Sequence, residues 1–377
     1  MQADRVRWDV FCRVVDHFGD AAVAWRLARL LAREHGKRVR LWLDDLTVLS
    51  RLRGEIDPAR EAQSLEGVEV IRWREAVAPG EVADVVVETF GCDPPEAYVA
   101  AMAAREPRPR WINLEYLSAE AWVEGSHARP SPHPRLPLTK HFFFPGFTPA
   151  TGGLLREHDL FARRDAFQSD PGTARAFWRL AAGREPPEGA LKVSLFGYAG
   201  APLESAFEAW SRHSRPVWCA VPEGAASAAL EKWLGGRNAG ERGSLQAFVM
   251  PFLAQDAYDE LLWACDVNFV RGEDSFVRAQ WAARPFVWQI YPTQDGAHWI
   301  KLGAFLARYA GHLDREHAAA VTALWEAWNR GEGVAGAWAG FAARLETIGP
   351  HARAWAARLG ARRDLAAELV DFVDNLL

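Results

Sequence analysis

The chain has 377 residues, a net charge of −5 and a hydrophobic share of 49%. At about 150 residues per domain, this length predicts two or three domains. The composition excludes disordered and collagen-like chains, and the acidic balance disfavours a general nucleic-acid binder. No apolar run reaches the roughly 20 residues that a membrane helix needs. We therefore expect neither a nucleic-acid partner nor a membrane partner.

The cysteines and the first residues indicate the compartment. The four cysteines are scattered and form no CxxC pair: Cys12, Cys92, Cys219 and Cys265. This usage is typical of a reducing cytoplasm and argues against a zinc site. The opening segment MQADRVRWDV carries four charges and no apolar stretch, which predicts no secretory signal. We expect a cytoplasmic protein.

The first 145 residues alternate apolar runs with helical patterns. A helix is predicted over 21–35, where Val23, Leu27, Leu30 and Leu31 share one face. Strands are predicted at 8–15, 39–43, 68–73, 84–90, 111–117 and 141–147. Strands and helices at this spacing predict βαβ units and a parallel sheet.

Residues 125–153 interrupt this alternation with six prolines. Prolines at this density are excluded from helix interiors and central strands. A long irregular segment within a compact domain is often functional, and a rigid surface loop is the other interpretation. The sequence favours neither.

A second alternating series begins near residue 191. Strands are predicted at 191–196, 216–221, 245–252, 265–270 and 285–290. The segment GREPPEG (183–189) is a candidate linker, and residues 362–377 form an amphipathic helical pattern. We predict two Rossmann-like α/β domains, at 1–182 and 190–355, with the helix at about 360–377 packing back on the first. Two such domains facing one another across a cleft make the GT-B architecture of sugar-nucleotide transferases.

The turn after the first strand contains two carboxylates, Asp16 and Asp20, around Gly19. Ligands collect at strand-to-helix turns of this kind, and a carboxylate there can act as a general base. Aspartate is also a favoured N-cap residue, so a purely structural role for Asp20 stays open. The turn has no GxGxxG pattern, and a dinucleotide fingerprint is therefore absent.

The segment 250–255 follows a predicted strand of the second series. Its aromatic residue, Phe252, can stack on a nucleobase, and Gln255 can bind the base edge. Stacking of this kind contributes about 1–3 kcal/mol per base. Burial of Phe252 in the core is the alternative.

The segment 271–275 lies between a strand and a helix, a place where backbone N–H groups bind anions. Arg271 adds donors suited to phosphate, whereas Asp274 or Ser275 can be an N-cap. Glu273 has no evident structural role. The next strand and turn, 285–299, bring Tyr291, Gln294 and Asp295 toward the same expected site.

Taken together, these segments resemble the protein-arginine rhamnosyltransferases that modify translation elongation factor P. The resemblance covers nearly the whole chain. It is carried by VVDHFGDAAVAWRLAR (14–29), HFFFPGFTPATGGLLRE (141–157), SLFGY (194–198) and the long segment 249–301, which includes VRGEDSFVRAQWAARPFVWQIYPTQDGAHW.

The resemblance implies an inverting GT-B enzyme with dTDP-β-L-rhamnose as donor. The sequence has no Cys/His cluster with the spacing of metal ligands, so we expect no metal ion or other cofactor. The implied acceptor is one arginine of the N-terminal domain of elongation factor P, which the modification activates. The first domain is then the acceptor side and the second the donor side. The implied catalytic carboxylate is Asp20, with Asp16 nearby, and Glu273 is implied to line the donor site. We expect all three carboxylates to take part in catalysis. The implied donor-binding residues are Phe196, Tyr198, Phe252, Gln255, Arg271, Asp274, Ser275 and Tyr291, to which the turn at 291–295 adds Gln294.

Two other functions stay open at this point. One is a GT-B enzyme with a small-molecule, lipid or saccharide acceptor. The other is an inactive GT-B-like binding module, which the joint presence of Asp16, Asp20, Arg271 and Glu273 disfavours.

Overall fold

The computed structural model describes residues 6–16, 18–74 and 79–376. The chain divides into two compact units. One comprises the residues up to His158 together with those from Gly360 onward, and the other is Asp159–Leu359. Each unit is a sheet flanked by helices, which confirms the predicted α/β class.

The first unit is built on an eight-stranded sheet. Its strands are β1 (Arg7–Cys12), β2 (Arg38–Leu43), β3 (Ala62–Leu65), β4 (Val68–Arg72), β5 (Val85–Thr89), β6 (Arg110–Leu114), β7 (Arg129–Pro132) and β8 (Thr139–Phe143). Its first helices are α1 (Phe18–Arg33), α2 (Leu46–Leu52), α3 (Glu96–Ala104) and α4 (Trp122–Ser126), with a 3₁₀ turn at Pro79–Glu81. Strand β1 is central because its apolar residues are buried on both faces.

The strand order of this sheet is β3-β4-β2-β1-β5-β6-β8-β7. The parallel strands β4-β2-β1-β5-β6-β8 follow the 3-2-1-4-5-6 order of a Rossmann fold. The order reverses between β1 and β5, which pair in parallel. Ligands bind at such a reversal, outside the carboxyl ends of the strands.

The proline-rich segment 125–153 contains β8, which corresponds to the strand predicted at 141–147, and one strand, β7, that its sequence does not predict. Strands β7 and β8 form an antiparallel pair at the edge of the sheet. Pro130 and Pro132 lie on β7, where an edge position tolerates the missing N–H donor.

The second unit contains six strands and ten helices among its described residues. The strands are β9 (Leu191–Leu195), β10 (Val217–Pro222), β11 (Ala239–Arg242), β12 (Leu245–Met250), β13 (Val267–Arg271) and β14 (Phe286–Gln289). The helices are α5 (Leu160–Ser169), α6 (Pro171–Ala182), α7 (Leu203–Ser211), α8 (Ala225–Trp233), α9 (Gln255–Ala264), α10 (Asp274–Trp281), α11 (Ala297–Ala310), α12 (Arg315–Arg330), α13 (Val334–Ala342) and α14 (Leu345–Gly360).

The second sheet has the order β11-β12-β10-β9-β13-β14. Its parallel strands β12-β10-β9-β13-β14 repeat the 3-2-1-4-5 order, and the reversal falls between β9 and β13. The predicted strands of both series are therefore confirmed, with bounds that differ by a few residues.

The boundary between the units lies after His158, not at the predicted linker 183–189. Helices α5 and α6 pack on α9 and β12 of the second unit. Aromatic residues hold these helices on the second unit. The ring centroids of Phe167 and Trp263 are 5.8 Å apart, and those of Trp178 and Trp218 are 6.2 Å apart. The segment 183–189 is a loop within the second unit.

The last helix, α15 (Leu365–Asn375), belongs to the first unit and contacts α1. It begins at an N-cap, Asp364, whose carboxylate accepts from the backbone of Ala366 and Ala367. The Leu365 N–H donates to the Leu154 carbonyl at 3.0 Å. Leu365, Leu369 and Val373 of this helix are buried. None of the described helices combines the length and the apolar character needed to cross a bilayer.

Candidate active site

In the first unit, Asp20 lies at the carboxyl end of β1. It is in the first turn of α1 and is only 2% exposed. Its Oδ2 accepts the backbone N–H groups of Val15 (2.9 Å) and Asp16 (2.8 Å), both of which precede the helix. The carboxylate therefore holds the turn that carries Asp16.

Asp16 is half-buried in this turn. Its carbonyl accepts the Gly19 N–H at 2.8 Å, and a Cβ atom on Gly19 would lie 2.9 Å from the Asp16 Oδ2. Glycine at position 19 thus allows the Asp16 carboxylate to pack against the start of the helix.

The pKa of Asp20 is raised, above all by burial, and the negative charge of Asp16 adds to the rise. The two backbone N–H donors and the Tyr116 hydroxyl oppose it. A carboxylate with a raised pKa binds a proton more strongly, which suits a general base.

Two aromatic residues that were not predicted from the sequence also belong to this site. The Tyr116 hydroxyl donates to Asp20 Oδ1 at 3.3 Å, and its ring stacks on Phe90 with centroids 4.2 Å apart. Phe90 directly follows β5, and Tyr116 lies beyond the end of β6. Tyr116 was not predicted as a site residue because the sequence placed it inside the predicted strand 111–117. In the structure β6 ends at Leu114, so Tyr116 lies in the loop beyond the strand.

In the second unit, Arg271 ends β13 at the reversal of strand order. Its guanidinium carbon lies 4.4 Å from the centroid of the Phe196 ring and 4.5 Å from that of Tyr198. We call these three residues the arginine clamp. Tyr198 also meets the ring of Tyr291 at 5.5 Å, so the structure brings four of the predicted donor-binding residues together.

The turn after β13 leads into α10. Gly272 has a φ of 64°, a conformation that favours glycine, and Glu273 is the N-cap residue. Asp274 is the first residue of α10. Burial raises the pKa of Tyr258, and the Ser275 hydroxyl beside it opposes the shift. The amino end of α10 is thus set directly after the arginine clamp, where a helix favours anions.

Phe252 and Gln255 follow β12 of the same sheet. Phe252 is half-buried and so retains an accessible surface, whereas Gln255 is buried as the first residue of α9. Helices α9 and α10 are joined by a buried ion pair, in which Arg278 Nε donates to Asp259 Oδ1 at 2.8 Å. This pair fixes the two predicted donor segments relative to one another.

The turn after β14 contains the last predicted residues. Tyr291 is 51% exposed, and Gln294 is exposed as well. Asp295 accepts from the Thr293 hydroxyl and the Ala297 N–H. These hydrogen bonds hold the turn before α11.

Gln289 is a buried residue at the end of β14 that was not predicted from the sequence, and its Oε1 accepts the Tyr198 N–H at 2.7 Å. The sequence feature that could have singled out Gln289 is a polar residue near the end of the apolar run PFVWQI. Within residues 6–16, 18–74 and 79–376, no group of three or more His, Cys, Asp or Glu side chains is arranged to hold a metal ion.

Comparison with known proteins adds to this geometry. The family described as "Elongation-Factor P (EF-P) rhamnosyltransferase EarP" matches residues 8–374. The chain is 48% identical to the protein-arginine rhamnosyltransferase of Pseudomonas putida, over 99% of this chain and 100% of that protein. A structure solved to explain EarP-mediated arginine glycosylation of translation elongation factor EF-P is 36% identical, with a TM-score of 0.70 over 99% of this chain and 100% of that one.

A glycosyltransferase from Rickettsia africae is only 10% identical but has a TM-score of 0.56 over 99% of this chain and 98% of that one. It shares the fold, and the two Rossmann-like units are those of a GT-B glycosyltransferase. The matches span both units and both clusters of predicted residues, and they confirm the resemblance found in the sequence. The chain belongs to the EarP family of elongation factor P rhamnosyltransferases.

Proposed function

We propose that this enzyme transfers L-rhamnose from dTDP-β-L-rhamnose, with inversion, to a guanidinium nitrogen of one arginine in the N-terminal domain of EF-P, and so activates the factor. The observation that carries the proposal is the buried Asp20 carboxylate beside Asp16 at the carboxyl edge of the first sheet. The family supports the acceptor, since the Pseudomonas putida relative is named a protein-arginine rhamnosyltransferase. We place the reaction in the cytoplasm, which the four free cysteines support.

The acceptor chemistry explains the need for carboxylates. A guanidinium is protonated at neutral pH and is therefore a poor nucleophile. Asp16 and Asp20 can pair with it and orient one nitrogen. As that nitrogen bonds to the anomeric carbon, the bond from this carbon to the diphosphate oxygen breaks, and Asp20 takes the proton. We assign Glu273, a carboxylate of the second unit, a catalytic role as well.

The donor chemistry uses the second unit. We assign the diphosphate to Arg271 and to the amino end of α10 with Ser275, because both stabilise negative charge on the leaving group. The thymine base is assigned to Phe252 and Gln255. Asp274, Phe196, Tyr198, Tyr291 and Gln294 are assigned to the surroundings of the donor.

The direct test is incubation of the enzyme with dTDP-rhamnose and purified EF-P, followed by the intact mass of EF-P. We expect a gain of one deoxyhexose, lost when the acceptor arginine is replaced by lysine. NMR of the product should give an α linkage. Consumption of the donor without a gain in mass would indicate a small-molecule or saccharide acceptor, and absence of donor binding would indicate an inactive module.

Phe252→Ala is expected to weaken dTDP-rhamnose binding by about 1–3 kcal/mol, the contribution of one stacked base. The fold should stay intact because the ring is only half-buried. Calorimetric titration of both proteins measures the change. An unchanged affinity would place the base elsewhere.

We expect turnover to need no metal ion, since Arg271 and the amino end of α10 can offset the charge of the leaving diphosphate. Turnover should be equal in buffers with EDTA and with magnesium. Activity that is lost in EDTA and restored by magnesium would contradict this expectation.

A further inference from the structure

Gln289 ends β14, the edge strand beside β13, and its side chain contacts the turn after β9. It is 7% exposed and is the register partner of Arg271 in the parallel pair of β13 and β14. Register partners in neighbouring parallel strands project from the same face of the sheet. Gln289 and Arg271 therefore lie side by side.

The amide oxygen of Gln289 fixes the turn after β9. It accepts the Tyr198 N–H at 2.7 Å, and a Cβ atom on Gly197 would lie 3.1 Å from it. The backbone at Gly197 thus passes close to this oxygen. Since the Tyr198 ring is one side of the arginine clamp, the hydrogen bond sets the position of that ring relative to Arg271.

The neighbour of Gln289 holds the other turn. The Trp288 indole N–H donates to the Gly272 carbonyl at 2.8 Å, in the turn between Arg271 and α10. The backbone of β14 is itself held by Asn329, which accepts the Ile290 N–H at 3.0 Å and donates to the Trp288 carbonyl at 2.8 Å. One strand end therefore positions both turns.

We propose that Gln289 is a positioning residue of the donor site, which aligns the arginine clamp for the diphosphate and adds no negative charge beside Arg271. This inference rests on the proposed donor site. An amide is suited to this position because it supplies the acceptor that the Tyr198 N–H needs. A carboxylate would supply the same acceptor, but its charge would pair with Arg271 and repel the diphosphate.

Two substitutions distinguish the need for an acceptor oxygen at Gln289 from the need for a neutral side chain there. Gln289→Met keeps the length of the side chain and removes the acceptor of the partly buried Tyr198 N–H. We expect a roughly 10-fold rise in the Kd of dTDP-rhamnose, comparable to the contribution of one hydrogen bond. Gln289→Glu keeps the acceptor and adds charge. It should raise the Kd of dTDP-rhamnose at least as much and leave the Kd of thymidine, which has no phosphate, unchanged.

A double-mutant cycle distinguishes positioning from general stabilisation. If Gln289 acts through the clamp, Gln289→Met should raise the donor Kd much less in an Arg271→Ala background than in the wild type. Gln246→Met is the matched control, because Gln246 is a half-buried strand glutamine on β12 of the same sheet. It should bind donor like the wild type.

The outcomes are distinguishable by isothermal titration of each folded variant. Wild-type donor affinity in Arg271→Ala would overturn the proposed donor site itself. Lost affinity in Arg271→Ala with wild-type affinity in both Gln289 variants would overturn only the inference. The inference would also be overturned if Gln289→Met raised the donor Kd equally in the wild-type and Arg271→Ala backgrounds. It would likewise be overturned if Gln289→Glu weakened thymidine binding as much as dTDP-rhamnose binding. If Gln289→Met does not fold, Gln289→Glu alone decides.

Discussion

Asp20→Asn is expected to lower turnover roughly 10²- to 10⁴-fold, the usual contribution of general acid–base catalysis, in a protein that stays folded and binds donor. The amide oxygen of asparagine can accept the Val15 and Asp16 N–H groups that Oδ2 accepts now. Its NH₂ group can face the Tyr116 oxygen. The turn is therefore kept, while the group that takes the proton is lost.

The pH dependence gives this prediction a second measurement. The base must be deprotonated, and burial raises the pKa of Asp20, so turnover should fall as the pH drops through a value above the usual aspartate range. The residual activity of Asp20→Asn should lack this acid limb. Mass spectrometry of EF-P measures turnover, and thermal melting checks the fold. A folded Asp20→Asn enzyme with near-normal turnover would remove Asp20 from the mechanism.

Asp259→Ala is expected to destabilise the protein by about 3–5 kcal/mol, because it removes the carboxylate to which the buried Arg278 guanidinium donates. Both side chains are 1% exposed. Helix α9 begins at Gln255 and α10 at Asp274. Loss of the ion pair between these helices should therefore also disturb the two donor-binding segments. Urea unfolding measures the change in the free energy of unfolding.

The matched control replaces both charges with apolar side chains of similar size. Asp259→Leu combined with Arg278→Met should recover most of the lost stability, since no buried charge is left unpaired. The double variant distinguishes a charge effect from a cavity effect. A single Asp259→Ala variant that loses less than about 1 kcal/mol would mean that Arg278 finds another partner or water.

The central strands of both sheets were predictable because their residues are apolar on both faces, as β1 and β10 illustrate. The antiparallel edge strands were not. Strands β3, β7 and β11 are polar and exposed, and their pairing depends on a neighbour distant in sequence. The unit boundary was misplaced for a related reason: the proline-rich loop at 183–189 looks like a linker, whereas the tertiary contacts of Trp178 decide where α6 belongs.

The predicted site residues came from short segments that follow strands, and the structure places these segments at the carboxyl edges of the two sheets. Arg271 and Phe196 are far apart in sequence, yet they meet because β9 and β13 are neighbours. Gln289 and Tyr116 were missed because their roles are side-chain hydrogen bonds to residues that are distant in sequence. No local pattern encodes such a contact, and only the strand order reveals it.

The return of α15 to the first unit has a consequence for synthesis on the ribosome. The Arg110 guanidinium donates to the Leu376 carbonyl, 266 residues later in the chain, whereas the second unit is one continuous segment. At about 5–20 residues per second, its roughly 200 residues take about 10–40 s to translate. During that time the face of α1 that α15 covers stays open to solvent or to a chaperone. The unit that is translated first is therefore completed last, the reverse of the usual vectorial order.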